Sequence, residues 1–125
     1  MKKQITTQKA PAAIGPYSQA VSVGGMLYTS GQLPIDPVSG EMADGIEAQT
    51  KMSLQNIKGI LEECGVGMEA VIKTTVFLQN MGDFAKMNEI YAQFFVEPYP
   101  ARSCVEVAAL PKGALVEIEC VAELG

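Results

Sequence analysis

The chain has 125 residues, 48% of them hydrophobic, with 12 Gly and 7 Pro spread along it. That length suggests one domain, and the hydrophobic share implies a buried core and argues against disorder. The net charge is −5, the pI is about 4.6, and basic residues cluster only at Lys2 and Lys3, so nucleic acid and anionic membranes are poor partners on electrostatic grounds. A small anion is not excluded, because one well-placed arginine can bind it.

There is no histidine. That removes His-based acid–base chemistry, Ser-His-Asp and Cys-His nucleophiles, and most zinc and iron sites. Catalysis would have to use carboxylates, Arg, Lys, Tyr, Cys, backbone groups or water, and no cofactor is called for. Cys64, Cys104 and Cys120 are an odd number without CxxC spacing, so neither a disulfide scaffold nor a zinc knuckle is expected. The N-terminal "MKKQITTQKAPAA" has charge but no apolar run after it, and no segment approaches a membrane span, so the cytoplasm is the expected location.

In chain order, "YSQAVSVGGMLYTSG" predicts a hairpin turning at Gly24-Gly25, with Val23 opposite Met26. Its open end then gathers Tyr17, Ser30 and Gly31. "PIDPVSGEMADG" is a turn-rich loop. A helix is predicted over 45–64, where Ile46, Thr50, Leu54, Ile57, Leu61 and Cys64 form one stripe. Asp44 with Glu47 resembles a capping box, and Gly65 is a C-terminal stop. Residues 70–79 are β-branched and apolar, hence a strand. A second helix follows Asp83, with Phe84, Met87, Tyr91 and Phe95 on its inner stripe. Asn88 falls inside that stripe, so a buried, partnered amide is expected there. Pro98 and Pro100 stop this helix, and strands follow at 101–108 and 115–123.

The resulting order is β-β-β-α-β-α-β-β, an α+β arrangement in which two helices can cover one face of a sheet. The other face must then be polar or bury itself against further copies.

Two strands carry unexpected polar groups. Arg102 opens one of them: it is either a solvated or salt-bridged arginine, or a carboxylate clamp using its planar fork. Cys104 shares its face by the period of two and reads as a small buried hydrophobe, since no histidine is present to generate a thiolate. Glu117 and Glu119 share one face of the last strand, either as a solvated face or with one of them holding a water or moving protons. If the last two strands pair through "LPKG", Glu117 lies opposite about Val107. Arg102 is then roughly 16 Å further along at strand spacing. On that pairing, any joint work by Arg102 and Glu117 needs two neighbouring subunits.

"GPYSQAV", "LYTSGQLPIDP" and above all "YPARSCVEVAALPKGALVEIE" resemble the Rid family of enamine/imine deaminases, also called YjgF-like proteins. The resemblance runs from Ala10 to about Glu123. It implies a chorismate-mutase-like fold, one mixed sheet with two helices on one face, and a homotrimer with sites between subunits. It further implies that Arg102 grips a substrate carboxylate, that Glu117 positions water, and that Cys104, Tyr17, Ser30, Gly31 and Asn88 line the site. The implied reaction is hydrolysis of 2-aminoacrylate or 2-aminocrotonate, or their imine tautomers, to pyruvate or 2-oxobutanoate plus ammonia. No metal or cofactor takes part. A trimer that binds keto acids or amino acids without turnover is the alternative, and RNA cleavage fits poorly with the acidic charge and missing histidine.

Overall fold

The computed structural model describes residues 1–125. Six strands and two helices follow the predicted order: β1 Lys3–Ile5, β2 Ala20–Val23, β3 Met26–Thr29, α1 Ile46–Glu63, β4 Val71–Leu78, α2 Phe84–Tyr91, β5 Ala101–Glu106 and β6 Val116–Glu123. The strands form one mixed sheet in the order β1-β2-β3-β6-β4-β5.

The hairpin turns at Gly24 and Gly25, with φ of 57° and 78°, and pairs Val23 with Met26. Two positive φ values define a turn whose twist matches the flanking strands, and glycine adopts them without strain. Helix α1 buries Thr50, Leu54, Ile57, Ile60 and Leu61 completely. These residues pack against β6 and α2. At its end Gly65 has φ 77° and donates to Glu62 O, while Val66 donates to Leu61 O at 3.1 Å. That pair of bonds satisfies two end carbonyls and stops the helix. At the other end the capping box does not form: Gly45 is the N-cap and no side chain bonds there.

Helix α2 is shorter than the 84–95 stripe implied, because turns replace it after Tyr91, although Met87, Tyr91 and Phe95 are buried as expected. Asn88 is exposed rather than buried. Helix α2 packs on α1, and the Asn88 amide reaches Arg102 on the edge strand β5 instead of the core.

The largest departure concerns the last two strands, which do not pair with each other. β4 lies between them, antiparallel to β6 and parallel to β5. A strand-helix-strand unit such as β4-α2-β5 favours parallel neighbours. The "LPKG" segment is a 3-10 turn with Lys112 at φ 58° and Gly113 at φ 71°, and the chain leaves it for the far side of β4.

Val116, Ile118 and Cys120 of β6 and Val76 and Leu78 of β4 face the helices and are buried. Glu117, Glu119, Thr75 and Phe77 lie on the opposite face, which no helix covers; Tyr28, Val23 and Val105 are exposed there.

Candidate functional site

The predicted residues fall into two groups. The first lines a cleft of about 680 Å³ at the open end of the hairpin, and contains Tyr17, Ser30, Gly31 and Glu117. Ser30 N donates to Gln19 O at 2.9 Å and Ser30 Oγ to Ser18 O at 2.6 Å, which holds the two arms together beyond the regular ladder. β3 then meets β6 with an offset. Tyr28 opposes Val121, but Gln32 opposes Ile118, so β3 fits one extra residue into the interval. Thr29 Oγ1 accepts from Cys120 N at 2.9 Å in that irregular stretch. Such a bulge re-aims side chains next to it. Here it brings Gly31 against Glu117: a Cβ at position 31 would overlap the Glu117 carboxylate.

Glu117 itself is half-buried. Burial raises its carboxyl above the usual carboxylate range, and the charge of nearby Glu119 adds to the shift. A carboxyl held there can exchange a proton nearer to neutral pH than an exposed one.

The second group surrounds Arg102. The side chain is half-buried, and its guanidinium carbon lies 4.7 Å from the Tyr91 ring centroid and 5.4 Å from that of Phe84. Nη1 donates to Asn88 Oδ1 at 2.7 Å, so exposed Asn88 has a partner after all. No carboxylate neutralises Arg102: the one ion pair in the protein is Lys9 with Glu62, at 3.8 Å. Within one chain, then, Arg102 forms no salt bridge. Cys104 lies on the same face and packs against the core. Burial raises its thiol although Arg102 pulls it down, so the protonated form dominates at neutral pH. No three Cys, Asp or Glu side chains come close enough to hold a metal ion.

The two groups do not meet within one chain. Arg102 is opposite Thr74 and Glu117 opposite Phe77, on the two sides of β4. Three residues along β4 and two strand spacings across it separate their backbones by about 14 Å. Their side chains also leave from opposite faces, Arg102 toward α2 and Glu117 toward the uncovered face. The separation inferred from the sequence thus holds, but through a different strand pairing. Cation stacking by Phe84 and Tyr91 was not read from the sequence. The signal existed in the spacing of Phe84, Asn88 and Tyr91, which puts all three on one helix stripe. Asp36 and Lys112, which also line the cleft, come from turns that local patterns do not place.

The family model described as Endoribonuclease L-PSP matches residues 7–124. The 2-iminobutanoate/2-iminopropanoate deaminase of Salmonella typhimurium is 50% identical over 125 residues, covering 98% of this chain and 98% of its own. Other relatives of similar identity, including one from Pyrococcus abyssi, carry only the name RutC family protein. Among solved structures, YyfA of the Rid protein family from Yersinia pestis superposes with a TM-score of 0.95 at 49% identity, covering 98% of this chain and 99% of that one. TdcF from E. coli with bound serine superposes with a TM-score of 0.92 at 48% identity, covering 97% and 98%. The chain belongs to the Rid, or YjgF-like, family, and its α+β fold of two helices on a mixed six-stranded sheet is the fold of these relatives.

Proposed function

We propose that the protein is a cofactor-independent imine deaminase working as a homotrimer, with each site built between two copies. Its substrates are 2-iminopropanoate and 2-iminobutanoate and their enamine tautomers, 2-aminoacrylate and 2-aminocrotonate. Its products are pyruvate or 2-oxobutanoate and ammonia. Removing such enamines protects pyridoxal-phosphate enzymes from inactivation. The names of relatives at about 50% identity support the reaction class.

The observation that carries the reading is Arg102, a half-buried cation stacked on two rings, bonded to a neutral amide and free of any carboxylate partner. A guanidinium in that state offers its remaining donors to a planar anion. Arg102 of one copy would take the substrate carboxylate, while the Glu117 cleft of the next copy closes over the imine.

The reaction then needs little more than placement. Protonation of the enamine β-carbon, CH₂ in 2-aminoacrylate and CH in 2-aminocrotonate, gives the iminium. A water held by Glu117 adds to the iminium carbon and passes a proton to the carboxylate. That proton is returned to nitrogen, and as the C–N bond breaks the hydroxyl gives its own proton to the Glu117 carboxylate, so the C=O forms and ammonia leaves. An iminium is already electrophilic, so orientation can supply much of the acceleration. The raised carboxyl of Glu117 suits a group that must both take and return a proton. Tyr17, Ser30 and Gly31 shape the cleft, and Asn88 and Cys104 support the arginine side.

A module that binds keto acids or amino acids without turnover is the second reading, and the serine bound to TdcF favours it. RNA cleavage is poorly served by a net charge of −5 and a cleft whose one basic side chain is Lys112. The deciding experiment generates 2-aminoacrylate in place with a serine dehydratase and follows its decay and pyruvate formation. Wild type should accelerate hydrolysis and Arg102→Ala should not. No acceleration by an intact wild-type oligomer would leave the binding module.

A further inference from the structure

Arg102 is held on more sides than an anion clamp requires. Phe84, Asn88 and Tyr91 recur on α2 at intervals of four and three, so one helix stripe meets the guanidinium with a ring, an amide and a second ring. Tyr91 is itself fixed. Its hydroxyl bonds Thr74 Oγ1 at 2.7 Å in the core, and its ring packs on Phe95 with centroids 4.6 Å apart. Thr74 is also the ladder partner of Arg102. The stem of Arg102 is thus set by its strand register, and its head by a tyrosine that the neighbouring strand locks.

We propose that Phe84 and Tyr91 are positioning residues that hold the guanidinium plane ready for two-pronged carboxylate contact, and so set affinity for α-carboxylate ligands rather than the rate at the imine carbon. The inference rests on Arg102 being the carboxylate anchor. A free arginine must give up its rotamer freedom when it binds, whereas one already stacked and bonded has lost that freedom on folding. The ring faces also attract the cation without neutralising it, so its charge stays available. A carboxylate in the place of either ring would hold Arg102 equally still but compete with the ligand.

The test is titration with pyruvate, followed by calorimetry, and steady-state kinetics with 2-aminoacrylate made in place, on Phe84→Leu, Tyr91→Leu, Tyr91→Phe and Arg102→Ala. Phe84→Leu keeps an apolar side chain at a half-buried position and should weaken pyruvate binding and raise KM about three- to tenfold, with kcat and melting temperature nearly unchanged. Tyr91→Phe keeps the ring, still buried and packed on Phe95, and should retain most of the affinity despite losing the Thr74 bond. Tyr91→Leu should lose affinity as Phe84→Leu does. If Arg102→Ala abolishes pyruvate binding while both leucine variants bind normally and lose only thermal stability, the rings are merely structural and the proposal is overturned. If Arg102→Ala binds pyruvate as wild type does, the anchor reading itself has failed. The titration needs no turnover, so these two failures stay separate from the question of catalysis.

Discussion

Replacing Gly31 by alanine puts a methyl group where the Glu117 side chain now sits. The added Cβ would lie 2.7 Å from Glu117 Cδ and 3.0 Å from Cγ, and closer still to one carboxylate oxygen. Carbon contacts settle near 3.5–4.0 Å, so the carboxylate must retreat by about 1 Å. Because it is the far end of a flexible side chain, folding stability should fall only by the low end of the roughly 1–3 kcal/mol typical of overpacking. Function should suffer far more, since a misplacement of about 1 Å at a reacting group costs on the order of 100-fold. The assay is kcat/KM on 2-aminoacrylate made in place, beside thermal melts, for Gly31→Ala, Glu117→Ala and the double variant. Gly31→Ala should melt close to wild type, lose most activity, and add almost nothing in the Glu117→Ala background. An active Gly31→Ala enzyme, or an equal loss in both backgrounds, would refute the idea that Gly31 exists to seat Glu117.

Three further expectations follow from the same geometry. Asn88→Asp would place a carboxylate 2.7 Å from Arg102 Nη1, so the melting temperature should hold or rise slightly while pyruvate binds roughly fivefold or more weakly; unchanged affinity would argue against Arg102 as anchor. Arg102→Lys should lose activity nearly as fully as Arg102→Ala, because an ammonium lacks the planar fork and the stacking; substantial turnover by the lysine variant would count against the clamp. The third concerns pH. Glu117 holds its proton more tightly in the folded than in the unfolded chain, so its contribution to stability is present at acid pH and is lost as pH rises through its raised folded value. Glu117→Gln should therefore match wild type at acid pH and melt higher at neutral and alkaline pH, while being inactive; parallel melting curves across the pH series would contradict the burial argument.

How much of this could be read from the sequence depended on whether the information was local. Gly24-Gly25 pins the hairpin register, and that register carries Tyr17, Ser30 and Gly31 to one end. The stripe from Ile46 to Leu61 specifies α1 because a buried face leaves a period that no strand shares. The partners of β4 are a different matter. Its alternation marks which face is buried, and nothing in it says which strand lies on either side. A four-residue loop suggested a hairpin between the last two strands, yet the left-handed Lys112 and Gly113 send β6 across β4 instead. The β4-α2-β5 order held the better clue, since a helical crossover favours parallel neighbours. Asn88 departs from its helical pattern for a related reason. Helical period alone puts it in the apolar stripe, whereas its partner, Arg102, comes from the edge strand β5. The Tyr91–Thr74 bond and the β3 bulge that aims Glu117 at Gly31 are long-range contacts with no local mark.

The central claim is that Arg102 and Glu117, on opposite faces and about 14 Å apart along and across the sheet, serve one site only through neighbouring copies. Subunit exchange tests it most directly. Arg102→Ala and Glu117→Ala proteins, each inactive alone, are mixed in equal amounts, unfolded and refolded together, and mixed oligomers are isolated through two different tags. In each mixed trimer one interface of the three carries both native residues, so about a third of wild-type deaminase activity should return. Mixed oligomers that remain inactive would show that the two residues do not share a site across the interface.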